Sequence, residues 1–207
     1  MNRIKKVFPV EQYIEEAYER FRQYEALVKK WQKAVNLVSD SSLSHIWERH
    51  ILDSAQLYSY IPQSAKILVD MGSGAGFPGI VLAILNKVYQ GTLTDIYLIE
   101  SDNKKCVFLT EAARVLDVDI HVINNRLENI HNIKADVITA RALAPVSQLL
   151  MYSQPFLKKN TQLLLLKGAS VKSELEGIHK NYQIEFIPSH TDKTGYIVRI
   201  MKGEKHD

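Results

Sequence analysis

The chain is 207 residues long and 46% hydrophobic, which suits one large domain or one domain with an appendage. Its 26 basic and 23 acidic residues give a net charge of +3, which excludes a histone-like polycation but neither requires nor excludes a nucleic-acid partner. A single cysteine, Cys106, excludes an intramolecular disulfide and a cysteine-rich zinc site, and we expect no bound metal. Because the sequence has no signal-peptide pattern and no apolar stretch of about 18 residues, we expect a cytoplasmic protein without a membrane span.

Residues 10–60 have the periodicity of helices. Seven apolar residues recur at alternating spacings of three and four and form one stripe along a helix: Ile14, Ala17, Phe21, Tyr24, Val28, Trp31 and Val35. A second helix is expected to begin after Ser41 or Ser42, either of which can cap it, and to continue until Pro62. We therefore predict an N-terminal helical extension, residues 1–64, that packs on a core domain of residues 65–207.

From Lys66 the pattern changes to short, β-rich segments. Five of them are apolar on both faces, as strands buried between helix layers are: KILVDM, DIYLIE, DIHVIN, ADVITA and TQLLLLKG. Helices are expected between them over residues 77–86, 103–116, 146–157 and 171–179, and this alternation predicts an α/β fold with a doubly wound, mainly parallel sheet. Two last strands, near residues 183–187 and 195–201, are joined by a short polar loop and predict a terminal antiparallel hairpin.

The loop after the first strand is rich in glycine. The segment VDMGSGAGFPGI, residues 69–80, contains the G-x-G-x-x-G pattern of dinucleotide-binding loops, whereas the G-K-[ST] of a P-loop is absent. Its glycines allow a tight turn and a close approach to a ligand, and Pro78 suits the first turn of the following helix. A tight turn without a ligand is the alternative. Ligands of such sheets bind at the carboxyl ends of the strands, where the sequence places Asp70, Glu100, Asn124 and Arg141.

Two acidic residues bear on the choice of ligand. A carboxylate at Asp70, beside the glycine turn, repels a diphosphate but accepts hydrogen bonds, directly or through water, from the ammonium of a methionine-like group. Glu100, at the end of the second strand, can hold both ribose hydroxyls of a nucleoside, which suits NAD and S-adenosylmethionine (SAM) equally. The residues therefore favour SAM, with an NAD-dependent oxidoreductase as the alternative.

Several motifs occur in one order between residues 30 and 168: KWQKAVNLVS, ERHILDS, VDMGSGAGFPGI, LIESDNKKCVFL, NRLENI, ITARALAPV and LLKG. In this order they resemble the RsmG (GidB) family, methyltransferases that modify guanine N7 in the 16S ribosomal RNA of the small subunit. The G-F-P-G end of the loop together with R-H-[IL]-L-D-S is the specific part of the resemblance. The terminal hairpin likewise resembles the Rossmann-like sheet of class I SAM-dependent methyltransferases.

The resemblance implies SAM as the cofactor and assigns it to particular residues. Gly72 and Phe77 are expected to contact SAM, with Gly74 and Gly76 shaping the loop, and Glu100 is expected at the ribose.

Two further strand ends complete the expected site. The resemblance implies that Leu127 and Glu128 flank the adenine and that Arg141 is the catalytic residue near the methyl group. Core packing of Leu127 and an ion pair of Arg141 with a neighbouring carboxylate are the alternatives. Ala140 stands where the family often has serine, so Thr139 is a second candidate for a hydroxyl at the site.

Guanine N7 has a lone pair and no proton, so its methylation needs alignment rather than a general base. This agrees with the absence of a convincing catalytic dyad and of the N/D-P-P-Y motif of amino-directed methyltransferases. A non-catalytic ribosome assembly factor on a SAM fold remains a further alternative.

The expected partner is 16S ribosomal RNA or the small ribosomal subunit, bound by a monomer. Four basic residues near the same edge of the sheet are the main candidates to contact RNA: Arg49, His50, Arg126 and Lys167. Arg49 is one helical turn from Asp53, so an ion pair between them is an alternative, and packing is the alternative for His50.

Overall fold

The computed structural model describes residues 10–175, 178 and 182–203, with side chains from residue 14 onward. The first helix, α1 (Val10–Gln32), confirms the predicted apolar stripe except for Val35, which lies beyond its end; Ala17, Phe21, Tyr24 and Val28 are fully buried. The helix packs against two helices of the core, α4 (Gly79–Val88) and α5 (Asn103–Leu116). The division of the chain at residue 64 stays a prediction.

The prediction of one continuous second helix is wrong. The chain instead forms four short helical pieces in succession: α2 (Asp40–Leu43), a π-helix (Trp47–Leu52), α3 (Asp53–Ala55) and a 3-10 helix (Gln56–Tyr60). Ser39, and not Ser41 or Ser42, is at the N-cap position of α2. Ile61 is extended, because the residue before a proline is disfavoured in the helical region, and the helical stretch ends there.

Seven strands form one sheet in the order β3-β2-β1-β4-β5-β7-β6. The strands are β1 (Ile67–Met71), β2 (Asp95–Glu100), β3 (His121–Asn124), β4 (Val137–Arg141), β5 (Gln162–Lys167), β6 (Tyr182–Pro188) and β7 (Tyr196–Lys202). The first five are parallel, and β7 lies antiparallel between β5 and β6. The predicted α/β fold with a terminal antiparallel hairpin is confirmed.

Apolar clusters cover both faces of the sheet, as the two-sided strands predict. Leu68 and Leu98 face one cluster, which also contains the buried residues of α1, α4 and α5. Val69 and Ile99 face the other, together with α6 (Val146–Ser153) and the buried residues of α7 (Val171–Glu174).

The helix boundaries agree with prediction only in part. α5 has the predicted bounds, because the Asp102 carboxylate accepts hydrogen bonds from the backbone N–H groups of Lys104 and Lys105 and so caps its start. α4 begins two residues late, since Pro78 takes the N-cap position instead of the first turn. α6 ends at Ser153 and continues as a 3-10 helix (Gln154–Phe156). Part of the helix predicted over 171–179 lies outside the described residues.

Within the described ranges, no helix is long and apolar enough to span a membrane.

Candidate active site

The loop between β1 and α4 borders a cavity of about 380 Å³ at the carboxyl ends of β1, β2 and β4. The structure brings most of the predicted cofactor residues together in its lining: Gly72, Gly74, Phe77, Glu100, Leu127, Glu128 and Arg141. Asp70 and Gly76 are not among the lining residues.

Positive φ angles explain the glycines of the loop. Gly72, Gly74 and Gly76 have φ angles of 65°, 57° and 89°, in the left-handed region that other residues rarely adopt. At Gly76 a side chain would also meet α1, since an added Cβ would lie 2.9 Å from the Tyr24 hydroxyl oxygen. Gly76 therefore shapes the loop where the loop packs against α1, whereas Gly72 and Gly74 line the cavity.

Glu100 closes one end of the cavity and holds the loop. Its Oε2 accepts a hydrogen bond of 2.9 Å from the backbone N–H of Gly74, and its Oε1 accepts bonds of 2.7 and 2.8 Å from the N–H groups of Ser101 and Asp102. These three donors fix the carboxylate against the strand ends and leave lone pairs free to accept from hydroxyl groups. The predicted contact of Glu100 with a ribose is compatible with this position and stays a prediction.

Asp70 lies beneath the loop and does not face the cavity. Its Oδ1 accepts a hydrogen bond of 2.7 Å from the Thr139 hydroxyl, and its Oδ2 accepts one of 3.3 Å from the Gly79 N–H at the start of α4. The carboxyl group is fully buried, and this burial raises its pKa from 3.8 to about 6, although its hydrogen bonds act in the opposite direction.

This position contradicts a direct contact between Asp70 and a ligand ammonium. Asp70 instead ties β1 to β4 and to the start of α4. The hydroxyl of Thr139 is also buried and bound to Asp70, so the structure does not place it at the site. Gly79 allows the close approach, because a Cβ there would lie 2.8 Å from the Asp70 Oδ2.

Aromatic residues support the loop from the side of the N-terminal helices. The buried Tyr24 hydroxyl of α1 donates a hydrogen bond of 2.5 Å to the Ala75 carbonyl, and the two ring centroids of Tyr24 and Phe77 are 5.0 Å apart. The His50 ring also stacks on Phe77, with the ring centroids 4.9 Å apart. Phe77 is thereby held in place while it lines the cavity.

Arg141 ends β4 and is enclosed by the segment that includes the π-helix. Its Nη1 donates a hydrogen bond of 2.7 Å to the Arg49 carbonyl, and its Nη2 pairs with the His50 Nδ1. The Asp53 Oδ2 is 3.6 Å from Nη1, and the guanidinium carbon is 5.3 Å from the Phe77 ring centroid.

The alternative of an ion pair between Arg141 and a carboxylate is therefore correct, and Arg141 still lines the cavity. The ion pair considered between Arg49 and Asp53 does not form, because the Asp53 carboxylate pairs with Arg141 instead.

A second cavity of about 800 Å³ adjoins the first, and Arg141 and Ala142 line both. Three of the predicted RNA contacts, Arg49, His50 and Lys167, line the second cavity, whereas Arg126 lines the first. The second cavity opens beside hydroxyl-bearing residues of three segments: Ser39, Ser41, Ser42, Ser170, Ser189 and Thr191.

The four predicted RNA contacts differ in their exposure to solvent and in their bonding partners. Arg49 and Arg126 are exposed. Lys167 is mostly buried, with its Nζ 2.7 Å from the Glu174 Oε2 and donating a hydrogen bond of 3.0 Å to the Ala144 carbonyl. His50 is 8% exposed, and burial together with the charges of Arg141 and Arg49 lowers its pKa to about 3, so its ring is neutral.

Comparisons with known proteins agree with this geometry. A family model described as "rRNA small subunit methyltransferase G" (GidB) matches residues 17–197. The chain belongs to this family. The "Ribosomal RNA small subunit methyltransferase G" of Paramagnetospirillum magneticum is 43% identical over 187 residues, which cover 89% of this chain and 88% of that protein.

Solved structures confirm the fold beyond the GidB family. The ribosomal protein L11 methylase from Lactobacillus delbrueckii subsp. bulgaricus is similar with a TM-score of 0.60 and 15% identity, over 75% of this chain and 79% of that one. TYW2 of M. jannaschii, solved in complex with AdoMet, is similar with a TM-score of 0.52 and 16% identity, over 80% of this chain and 77% of that one. The resemblance to the GidB family and to a class I methyltransferase fold is confirmed, and neither alternative function is supported.

Several lining residues of this GidB-family site were not assigned to the site from the sequence. Leu143 and Tyr152 line the first cavity, and Leu37 and Val38 reach it from the segment after α1. Leu143 lies over the loop, since a Cβ added at Gly72 would be 2.6 Å from its Cδ1. These apolar and aromatic residues look like ordinary core residues, and only the folded chain brings them to the cavity.

Proposed function

We propose that the chain is a SAM-dependent methyltransferase that modifies N7 of one guanine in the 16S ribosomal RNA of the small subunit. One observation carries the proposal: in a member of the GidB family, a glycine-lined cavity with a carboxylate at its end adjoins a second cavity, and Arg141 stands at their common wall. The first cavity suits a nucleoside cofactor, and the second is large enough for a base of the substrate.

The lining of the first cavity suits a nucleoside cofactor such as SAM. SAM carries an ammonium, a sulfonium and an adenosine but no phosphate. The Glu100 carboxylate lines the cavity and can accept hydrogen bonds from the ribose hydroxyls of either SAM or NAD, and membership of the GidB family favours SAM. We assign Gly72 and Phe77 to the methionine side of the cofactor and the segment Leu127–Asn129 to the adenine.

The proposed reaction requires the protein mainly to align the reacting atoms. Bound SAM supplies an electrophilic methyl group, and guanine N7 attacks with its own lone pair, so no residue has to remove a proton. Asp70 has a pKa of about 6 that would suit a base, but it lies under the loop and lines neither cavity. Its position therefore agrees with a reaction that needs no base.

Arg141 is the residue that we assign to the reacting region, because its side chain borders both cavities. Guanine presents O6 next to N7, and both are acceptors. An N–H of Arg141 that donates to O6 would orient the base and leave N7 free to react. Such an orienting contact favours guanine over adenine, which has an amino group in place of O6.

RNA contacts are proposed at Arg49, His50, Arg126 and Lys167. Arg49 and Arg126 are exposed at the two cavities, where their guanidinium groups can meet phosphates. Lys167 would have to exchange its ion pair with Glu174 for a phosphate, and His50 is nearly buried. We infer further that the protein acts as a monomer in the cytoplasm, where small ribosomal subunits are assembled.

Incubation with radiolabelled SAM tests the proposal. Small ribosomal subunits and naked 16S ribosomal RNA, both lacking the modification, serve as substrates, and nucleosides are analysed after digestion. We expect label in 7-methylguanosine at one site per RNA, and none with a variant that does not bind SAM. Binding of SAM in calorimetry without any transfer to RNA would instead indicate an assembly factor.

A further inference from the structure

The ERHILDS segment, residues 48–54, contains two of the proposed RNA contacts, Arg49 and His50, but the proposed function gives no role to its Asp53. In the structure it runs alongside the end of β4, far away in the chain, and surrounds the Arg141 guanidinium. The Arg49 carbonyl oxygen accepts a hydrogen bond of 2.7 Å from Nη1, His50 pairs with Nη2, and the Asp53 Oδ2 is 3.6 Å from Nη1. Three groups from one segment thus meet one side chain of the reacting region.

The local helix geometry presents these groups together. Residues Trp47–Leu52 form a π-helix, and α3 begins at Asp53. π-Helical turns are rare and are found frequently at functional sites. His50 lies in the π-helix and Asp53 begins α3, and the side chains of both reach the Arg141 guanidinium.

His50 has the properties of an acceptor and not of an ordinary packing residue. Its ring is neutral, so Nδ1 can accept from the guanidinium while Nε2 carries the proton. In the part of the chain that the structure describes, the buried Nε2 has no hydrogen-bond partner. An unsatisfied buried donor is unfavourable, and an apolar ring would stack on Phe77 without it. The polar ring is explained by its contact with Arg141.

Asp53 is anchored from the opposite side. Its Oδ1 accepts hydrogen bonds of 2.8 Å from the Thr191 hydroxyl and of 2.8 Å from the Gln56 amide. The amide oxygen of Gln56, which is fully buried, accepts a bond of 3.0 Å from the backbone N–H of His190. The loop between β6 and β7 therefore fixes the Asp53 carboxylate so that Oδ2 faces Arg141.

We propose that Asp53 and His50 are positioning residues that hold the Arg141 guanidinium at the wall between the two cavities. The inference rests on the proposed function, since it concerns the residue assigned to the reacting region. A free arginine side chain has many rotamers, and a buried guanidinium without acceptors would turn away to find others. Without these partners, Arg141 would not be held where a base enters, while the loop and Glu100 would still bind the cofactor.

Substitution of Asp53 tests this role. We expect Asp53→Asn to lower kcat at least tenfold and to change the Kd for SAM less than threefold. Asp117→Asn is the matched control, because the Asp117 carboxylate also pairs with a basic side chain, that of Lys87, but lines neither cavity; we expect a kcat within twofold of the parent. In the background of Arg141→Ala, Asp53→Asn should have no further effect on kcat, since the residue through which it acts is gone. Multiplicative losses in the double variant would overturn the proposal.

Two variants of His50 keep the test informative if Asp53→Asn does not fold. His50→Phe retains a ring against Phe77 but lacks the acceptor, whereas His50→Asn supplies an amide oxygen near the position of Nδ1. We expect His50→Phe to lose at least tenfold in kcat and His50→Asn to recover part of it. Equal losses in both would contradict a role as an acceptor.

A measurement that does not depend on methylation separates this proposal from the proposed function. The NMR signals of the Arg141 side-chain N–H groups should show restricted rotation in the parent protein and free rotation in Asp53→Asn and His50→Phe. If no RNA is methylated but these signals change as expected, the proposed function fails and the positioning role stands. Restricted rotation that persists in both variants would refute the positioning role.

Discussion

The carboxylates at the ends of β1 and β2 show how much depends on the direction of one side chain. Glu100 lines the cavity and is held by three backbone N–H groups, whereas Asp70 is buried under the loop with Thr139 and Gly79 as partners. The first can meet a ligand, and the second stabilises the loop that the ligand requires. The same residue class at neighbouring strand ends thus has two different roles.

Gly74 provides a direct test of the loop. We expect Gly74→Asp to abolish SAM binding, because the new carboxylate would enter the cavity next to Glu100, to which the Gly74 N–H is bonded. Gly74→Asn is the matched control, since asparagine has nearly the same shape and also tolerates a positive φ. Calorimetry should show that the affinity for SAM falls more than about 100-fold in Gly74→Asp and less in Gly74→Asn. Each tenfold loss of affinity corresponds to about 1.4 kcal/mol of binding free energy. Parent affinity in Gly74→Asp would refute the assignment of the loop.

Asp70 should make the free energy of unfolding depend on pH. Its folded-state pKa of about 6 is above the value of 3.8 for a free carboxyl group, so the folded protein holds this proton to higher pH than the unfolded chain. The contribution of Asp70 to stability is therefore fully present below about pH 4 and is lost as the pH rises through about 6. The charged neighbour Arg141 reduces the shift, and Tyr24 stays neutral because burial raises its pKa.

Denaturation of Asp70→Asn and of the parent protein across this range measures the effect. The difference in their free energies of unfolding should change by roughly 2 to 3 kcal/mol between pH 4 and 7, in favour of Asn at the higher pH. Two curves that run parallel across the range would show that Asp70 titrates normally.

At the scale of secondary structure, the N-terminal helices act on the site through single contacts. α1 reaches the loop through the Tyr24 hydroxyl, and the π-helix reaches Arg141 through His50 and the Arg49 carbonyl. The helices preceding β1 are therefore part of the site's support and not a separate attachment to it.

Tyr24→Phe isolates the contact of α1 with the loop. The substitution removes one hydrogen bond and leaves the buried Ala75 carbonyl without this donor, which should lower stability by about 1 to 2 kcal/mol. Because the loop borders the cofactor cavity, we also expect SAM affinity to fall several-fold. Tyr18→Phe is the control, since Tyr18 is 45% exposed on the same helix. Stability is measured by thermal unfolding and SAM affinity by calorimetry. Equal stability and equal SAM affinity in Tyr24→Phe and Tyr18→Phe would contradict a role of the Tyr24 hydroxyl in supporting the loop.

At the scale of the whole molecule, the proposed function requires a guanine of the RNA to reach the second cavity, which adjoins the first. Basic residues line both cavities, and Lys167 is one of the four that we propose to contact RNA. In the structure its ion pair with Glu174 also joins β5 to the start of α6, because the Glu174 carboxylate accepts a hydrogen bond from the Val146 N–H. Lys167 therefore has a structural partner as well as a possible phosphate partner.

Lys167→Ala should weaken methylation of RNA more than it weakens SAM binding, by about tenfold in kcat/KM if one phosphate contact is lost. Glu174→Gln distinguishes the two roles, since it removes the ion pair but keeps the lysine. If Lys167 contacts RNA, Glu174→Gln should retain most of the activity. Equal losses of SAM binding and methylation in Lys167→Ala would count against a contact with RNA.

Local sequence patterns were sufficient for the sheet and for the strand ends and glycine loop that border the first cavity. Two-sided apolar runs predict buried parallel strands, and parallel strands bring their carboxyl ends to one edge whatever the detailed packing is. For this reason the loop around Gly74, the Glu100 carboxylate and the end of β4 at Arg141 could be placed together from the sequence. The spacing of the glycines likewise predicted that the turn after β1 lies at this edge of the sheet.

Tertiary structure decided which groups face those residues. Alternation along β1 points Asp70 to the same face as Leu68, where the start of α4 covers it, and this face could not be chosen without knowing which layer each helix joins. The partners of Arg141 come from a segment about 90 residues earlier, through a π-helical turn that no local pattern predicts. Contacts of this kind depend on the packing of distant segments, and packing is a property of the folded chain as a whole.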